Sequence, residues 1–349
     1  MIKYMKNLLT TWGMAIILIT SVLLAVTMGT VSLSVKEAYG TIVYGVSGID
    51  SLKNYGECVA YDIVWSLRLP RIILAVMVGM GLSVCGVVMQ SIVKNPLADP
   101  FILGVSSGAS FGATVAILLG VGAVLGENFI GLVAAGGAFA VSIGVLILSN
   151  CGGRSNSMKL LLSGMALSAI CSAFSSFIVY FANNKEGIQT ITYWLMGSLA
   201  NAKWDNLFVM CPVIVIGTLF FYSQSRVLNL MLLGDDTAIT LGTDLNRFRH
   251  LYLMVTALMV GFVVYNAGMI GFVGLIIPHV IRMFVGTDHK KLIPGSALVG
   301  GIFLIWADVM CRIIIPRTEL PIGILISLIG APCFVYLMVK RTYGFGGNE

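Results

Sequence analysis

Charged residues are scarce in this sequence. Asp, Glu, Lys and Arg make up 10% of its 349 residues, whereas hydrophobic residues make up 58%. Soluble domains carry charge on about a quarter of their residues, and a soluble fold could not bury so much apolar surface. The composition therefore excludes a soluble protein and predicts one that crosses a membrane several times.

Clusters of basic residues are also missing. The formal net charge is +6, but no run of five or more basic residues occurs. We therefore expect the excess positive charge to lie in cytoplasmic loops, and we expect no nucleic-acid partner.

Motifs for ATP hydrolysis and for metal binding are absent from the sequence. It contains no Gly-x-x-x-x-Gly-Lys-[Ser/Thr] phosphate loop, and the dipeptide Gly-Lys never occurs, so the chain should not hydrolyse ATP by itself. The three histidines have no His-Glu-x-x-His or comparable spacing, which argues against a metal held by this chain. The seven cysteines are odd in number and form no Cys-x-x-Cys, so we predict free, packed thiols.

Apolar runs predict an all-α polytopic membrane protein with about ten spans in a single domain covering residues 1–349. The runs are approximately Met14–Leu33, Ile72–Ile92, Phe101–Gly120, Phe129–Leu148, Leu160–Phe181, Leu207–Tyr222, Leu251–Tyr265, Ile270–Val285, Leu298–Cys311 and Pro321–Val339. The first run could be a signal peptide, but it is long and lacks a convincing small-x-small cleavage site. We interpret it as a membrane span.

The distribution of loop charge predicts the orientation of these spans. With both termini inside, 13 of the 21 Lys and Arg residues fall on the cytoplasmic side, as the positive-inside rule requires. The N- and C-termini are therefore predicted to be cytoplasmic, and residues 223–250 form the longest inner loop.

The stretch from Arg68 to Ala113 combines two apolar runs with a polar turn at residues 94–100. It predicts two spans joined by an Asn-Pro turn, with Arg68 and Arg71 at the start of the first span and on the opposite side of the membrane. Cations are disfavoured at a helix N-terminus. The two arginines therefore either receive an acidic partner or act as interfacial anchors.

Small residues recur every four positions in three of the spans. Two of these stripes predict close helix contacts, namely Gly104, Gly108 and Gly112, and Gly136, Ala140 and Gly144. The third stripe either lines a polar conduit or packs against a neighbour, since serine hydroxyls also bond within their own helix. It consists of Gly164, Ser168, Ser172 and Ser176.

Two further features allow more than one interpretation. Residues 234–242 could form a short helix in which Ala238 and Gly242 stack on a flat face for a partner, or an ordinary solvated loop. Asp308, His279 and Arg282 are ionisable residues within or near spans. Because they lie near the predicted helix ends, we expect structural pairing or snorkelling more than a functional charge in the membrane.

Four motifs, spaced along the central stretch, resemble one family closely. Arg-Leu-Pro-Arg, Gly-x-x-Met-Gln, Asn-Pro-Leu-Ala-Asp-Pro and Leu-Gly-Val-Ser-Ser-Gly-Ala are similar to the membrane permeases of ABC importers for iron–siderophores, haem and vitamin B12. The resemblance implies a multi-pass permease of the cytoplasmic (inner) membrane, in contact with lipid, that is not an enzyme. It works as a homodimer or paired permease, with two ATPase subunits that bind ATP and Mg and an extracytoplasmic substrate-binding protein.

The resemblance also implies roles for particular residues. Docking of the binding protein would involve Arg68, Arg71 and Arg312. The cytoplasmic gate would comprise Asn95, Leu97, Ser157 and Met158. The translocation pathway would include Gly164, Ser168, Ser172 and Ser176, and coupling to the ATPase would involve Ala238, Leu241 and Gly242.

The substrate and the transport class give rise to alternatives. An iron–siderophore complex is the expected substrate, with haem or cobalamin as alternatives in the same family. An ion-coupled secondary transporter would need ionisable groups near the membrane midplane, and the sequence offers almost none. A membrane-embedded hydrolase lacks both a His-Glu-x-x-His pair and a plausible Ser/His dyad.

Overall fold

The computed structural model describes residues 2–29, 31, 33–56, 58–126, 128–151, 156–315 and 318–340, and the regular structure in these ranges is helical. The α-helices are α1 (Ile2–Thr27), α2 (Val35–Ser47), α3 (Val59–Tyr61), α4 (Leu69–Val93), α5 (Val105–Leu119), α6 (Phe129–Asn150), α7 (Ser157–Phe181), α8 (Lys185–Leu195), α9 (Trp204–Ser223), α10 (Ser225–Leu233), α11 (Asp235–Thr240), α12 (Leu245–Ala267), α13 (Val273–Val285), α14 (His289–Ile313) and α15 (Ile322–Lys340).

The predicted polytopic all-α fold is confirmed. Among the described residues, six helices are long and apolar enough to cross a membrane, counting α3 to α4 as one helix from Val59 to Val93. Four shorter apolar helices, within α1, α5, α13 and α15, complete a set that matches the ten predicted spans. All seven cysteines are free thiols, and Cys151 is exposed rather than packed.

Helix α4 is the centre of the fold. It packs against α14, α12, α13 and α9, and most of its residues are buried. Two glycines allow the closest approaches: a Cβ on Gly79 would lie 2.1 Å from the carbonyl oxygen of Gly300, and one on Gly86 would lie 1.8 Å from that of Gly274. Backbone contact of this kind is how membrane helices gain van der Waals packing, since lipid provides no hydrophobic driving force between them.

The prediction that Arg68 and Arg71 begin a helix is wrong. A π-helical segment, Asp62–Arg68, joins α3 to α4, so both arginines lie inside a continuous helix. Pro70 lacks an amide hydrogen and would normally end the helix. In the π register, the carbonyl that an amide at this position would bond to is that of Trp65, so this carbonyl needs another donor. The indole of Trp204 donates to that carbonyl over 2.9 Å, which satisfies the orphaned group.

The glycine stripes are only partly as predicted. A Cβ on Gly108 would meet the carbonyl oxygen of Gly137 at 2.5 Å, so α5 and α6 do pack closely. Gly104 instead precedes α5 with a φ of 81°, where glycine is favoured. On α6 the contacting residue is Gly137, whereas a Cβ on Gly136 would meet no described atom within 4 Å. The spacing identified the right helices but not the contact face of α6.

Several of the connections between predicted spans contain helical structure. The connection before Arg68 holds α2 and the 3-10 helix Asp50–Tyr55. Helix α14 begins at His289, about two turns before the predicted span at Leu298. Polar residues in these stretches mark where helices extend beyond the apolar runs and not where they end.

Candidate functional site

Three arginines and two carboxylates form a cluster where α4 meets α14. Arg71 donates through Nε to Asp308 and through Nη1 to Glu319, both at 2.8 Å. Arg312 approaches the second oxygen of Asp308 at 3.1 Å. Asp308 is 1% exposed and Glu319 46% exposed. The buried carboxylate therefore neutralises two guanidinium groups, which is the structural pairing expected for Asp308.

Arg68 and Arg312 also satisfy the C-terminal end of α1. The Arg68 side chain is buried and donates to the carbonyls of Val26, over 2.9 Å, and of Val31. Arg312 donates to the carbonyl of Met28 over 3.3 Å. Cations are favoured at the carbonyl end of a helix. This placement stabilises the fold without any external partner.

The structure brings the three predicted docking arginines together around one cavity. The cavity has a volume of about 240 Å³ and is lined by Gly29, Val31, Ile63, Leu67, Arg68, Arg71, Ala200, Arg312 and Glu319. The three guanidinium groups are not equally accessible from the cavity. Arg68 and Arg312 are buried, and Arg71 is paired with the exposed Glu319. Arg317, the other arginine near this end of α14, lies outside the described residues.

The two predicted gate segments both adjoin the last turn of α4. Lys94 ends α4 with a φ of 57°, and Asn95 then turns the chain by accepting a hydrogen bond from the amide of Leu97 over 2.9 Å. Ser157, at the start of α7, donates to the carbonyl of Ile92 over 2.9 Å. Met158 is exposed beside it. Ser157 and Ile92 are 65 positions apart in the chain, and the fold brings them together at the end of α4.

Helix α11 confirms the predicted short helix in the inner loop but not its proposed face. Ala238 is fully buried within the chain, and Gly242 follows the helix with a φ of 78°. The exposed apolar side chains here include Ile239 on α11 and Leu241, the residue that follows the helix. Of the three predicted coupling residues, Leu241 therefore presents a side chain for a partner, whereas Ala238 packs inside.

Asp235, the first residue of α11, connects this helix to the gate segment. Its Oδ1 lies 2.9 Å from Lys94 Nζ and 2.5 Å from Arg249 Nη2 on α12. Burial by itself raises the pKa of Asp235, but the hydrogen bonds from Arg249 and Lys94 outweigh it and hold that pKa below its usual value. The carboxylate is thus kept charged between two cations.

The predicted pathway stripe on α7 divides into two halves. A Cβ on Gly164 would lie 2.8 Å from the Cα of Leu103, and Ser168 is half-buried next to Gly104. Ser172 and Ser176 are exposed. Packing therefore accounts for the Gly164 end of the stripe, whereas Ser172 and Ser176 stay uncovered within this chain and the conduit interpretation remains a prediction.

Sequence reasoning missed two polar contacts at the last turn of α4. Ser91 Oγ lies 2.6 Å from His289 Nε2, and His289 Nδ1 lies 2.6 Å from Asn229 Oδ1 on α10. Arg282 on α13 donates to Gln90 Oε1 over 2.6 Å. These partners are 60 to 198 positions apart in the chain, and no local pattern could have paired them.

Comparison with known proteins identifies the family to which this chain belongs. The family model described as the FecCD transport family matches residues 17–340. The chain belongs to the FecCD transport family. Among its relatives is the cobalamin import system permease protein BtuC of Halobacterium salinarum, which is 42% identical over 282 residues, or 81% of this chain and 74% of the relative.

Two further similarities agree with this assignment. The vitamin B12 import system permease protein BtuC of Salmonella arizonae is 39% identical over 293 residues, covering 84% of this chain and 86% of the relative. A solved structure described as a metal-chelate type ABC transporter in an inward-facing conformation has a TM-score of 0.81 and 33% identity, covering 95% of this chain and 99% of the other.

The FecCD assignment confirms the resemblance inferred from the four motifs. The chain is a permease of an ABC importer and a multi-pass protein of the inner membrane. A permease of this class works in general with an ATPase, a second permease and a binding protein. Among the described residues, no group of three or more His, Cys, Asp or Glu side chains is arranged to hold a metal.

Proposed function

We propose that this FecCD permease imports cobalamin or a closely related corrinoid. One observation carries the proposal: relatives with about 40% identity, aligned with four-fifths of this chain, are named as cobalamin or vitamin B12 permeases. An iron–siderophore complex, the substrate expected from the motifs, is the second candidate. It is favoured by the likeness to a metal-chelate type transporter.

The test is uptake by proteoliposomes that contain the permease, its ATPase and its binding protein. We expect ATP-dependent accumulation of radiolabelled cyanocobalamin that an excess of a ferric trihydroxamate or of haemin does not reduce. Uptake of the ferric complex or of haemin, with no uptake of cyanocobalamin, would contradict the corrinoid proposal. Uptake that follows an ion gradient without ATP would support the secondary-transporter alternative.

We also propose how the described sites divide the transport cycle. The binding protein docks near the cavity lined by Arg68, Arg71 and Arg312, and substrate then passes the exposed face of α7. The gate segments at Asn95 and Ser157 close the inner end. Ile239 on α11 and Leu241, which directly follows that helix, contact the ATPase. The nucleotide cycle of the ATPase switches the permease dimer between outward- and inward-facing states.

Glu319 offers a sharp test of the docking proposal. Reversing Arg71 to Glu would remove one of the two cations that face buried Asp308 and place a second carboxylate beside it, which would damage the fold. Glu319→Gln instead removes the negative charge beside Arg71 Nη1 and leaves the ion pair between Arg71 and Asp308 intact. If an acidic residue of the binding protein binds Arg71, Glu319→Gln should speed association and steepen its dependence on salt.

A matched control separates docking from a general change in charge. Glu186, exposed at the start of α8, can be changed to Gln with the same gain of one positive charge. The on-rate of the binding protein on reconstituted permease should rise for Glu319→Gln and stay near wild type for Glu186→Gln. Equal on-rates in both variants would leave the arginine cluster as a structural element only.

A further inference from the structure

The end of α4 is held from several directions on the side of the gate segments. Arg282 contacts Gln90, His289 contacts Ser91, and Lys94 pairs with Asp235. The backbone amides of both Lys94 and Asn95 bond to the Gln90 carbonyl. The turn that carries the predicted gate residues is therefore continuous with the last turn of α4.

Helices α10 and α11 are attached to this same turn at two places. Asn229 on α10 accepts from the backbone amide of His289 over 3.0 Å and contacts its ring, and the other ring nitrogen reaches Ser91. Asp235 on α11 pairs with Lys94, one residue before Asn95. Helix α11 otherwise packs on α10 and α12.

The two cations that face Asp235 differ in their surroundings. Arg249 lies on α12, and its side chain is 3% exposed. The Lys94 side chain is 31% exposed, and Lys94 itself has the left-handed backbone conformation that ends α4. The Arg249 pair thus anchors α11 to the buried part of the molecule. The Lys94 pair extends the same carboxylate outward to the gate.

We propose that the Asp235–Lys94 ion pair is the joint through which the gate segment follows α11. When the ATPase displaces α11, Asp235 draws Lys94 with it and thereby moves Asn95 and Leu97. Asp235 and Lys94 are then positioning residues for transport and have no contact with substrate. This inference rests on the proposed function, because it requires that α11 contact the ATPase and that Asn95 and Leu97 form a gate.

Because the ion pair is partly exposed, its role in transport can be tested without a large loss of folding stability. Both side chains are about one-third exposed, and partly exposed ion pairs contribute little to folding because water and salt screen them. Removing the pair should therefore leave a folded permease. If the pair acts as a joint, its removal should lower the amount of substrate transported per ATP hydrolysed.

The variants that isolate the joint all change lysine. Lys94→Met removes the cation, keeps most of the aliphatic length and leaves the Asp235–Arg249 pair in place. Lys94→Arg retains the cation, so it should rescue the joint. Lys290→Met removes the charge of an exposed lysine at the start of α14 and serves as the matched control.

The first measurement is cyanocobalamin accumulated per ATP hydrolysed, in proteoliposomes with the ATPase and binding protein. We expect Lys94→Met to lower this ratio by about fivefold or more, the lower end of typical coupling between linked sites. Lys94→Arg and Lys290→Met should keep the wild-type ratio. A wild-type ratio in Lys94→Met would overturn the proposal, and so would a defect in Lys94→Arg equal to that of Lys94→Met.

A second measurement does not depend on the substrate. In a background without Cys151, a Leu97→Cys reporter should change its reactivity toward a water-soluble thiol reagent when nucleotide is added, and Lys94→Met should abolish that change. If wild-type permease fails to accumulate cyanocobalamin, the substrate proposal fails while this reporter still tests the joint. An unaltered nucleotide response in Lys94→Met, or loss of its folded state, would reduce the pair to a structural tie.

Discussion

Asp308 and Glu319 are two carboxylates on the same guanidinium whose replacement should have very different consequences for stability. Each carboxylate accepts a hydrogen bond from the same guanidinium, that of Arg71, at the same distance of 2.8 Å. Asp308 is 1% exposed and also neutralises Arg312, whereas Glu319 is 46% exposed. Replacing each carboxylate by its amide changes charge with almost no change in shape.

The two replacements should differ by several kcal/mol in the free energy of unfolding. Removing one member of a buried ion pair leaves an uncompensated buried charge and costs about 3–5 kcal/mol. An exposed ion pair contributes about 0–1 kcal/mol. Asp308→Asn leaves the buried guanidinium of Arg312 and the 12% exposed one of Arg71 facing an amide. Nη2 of Arg312 already has no hydrogen-bond partner among the described residues.

Denaturant unfolding of the purified permease in detergent, followed by tryptophan fluorescence, measures the difference. We expect Asp308→Asn to destabilise strongly or to prevent folding, and Glu319→Gln to remain near wild type. If the two variants have equal free energies of unfolding, desolvation does not control this cluster and the structural role assigned to Asp308 is wrong.

Three other predictions concern packing, coupling and the pathway. Gly86→Ala should destabilise the permease by about 1–3 kcal/mol, because its Cβ has no space against α13. A Cβ at Gly136 meets no described atom within 4 Å, so Gly136→Ala should be neutral or stabilising by up to about 1 kcal/mol. Equal thermal midpoints for the two variants would contradict the tight crossing of α4 and α13. Leu241→Asp should reduce co-purification of the ATPase, because it places a charge in an apolar contact, and wild-type recovery would exclude Leu241 from the interface. Ser172→Cys should react with a water-soluble thiol reagent in a nucleotide-dependent way, while the adjacent buried Cys171 stays unreactive. If Ser172→Cys is unreactive in every state, packing is favoured over a conduit.

Several properties of this protein follow from the sequence alone. With so little charge, the chain must lie in a membrane, where backbone groups need partners within their own segment, so helices are the solution for uninterrupted apolar runs. The motif spacing around Asn-Pro-Leu-Ala-Asp-Pro was sufficient to identify the family. The sequence also predicted the tight turn after α4 and the short helix of the inner loop, because turns and caps are local features.

Only the tertiary structure decided which side chains are already occupied. A spacing of four residues defines a helix face but not its neighbour, so Gly137 rather than Gly136 carries the contact with α5. Arg71 and Asp308 are 237 positions apart, and Pro70 continues a helix because Trp204 satisfies the freed carbonyl. Such pairs form because burial makes an unpartnered charge or carbonyl costly, and the partner that relieves this cost is chosen by the packing of distant helices, which local sequence does not encode.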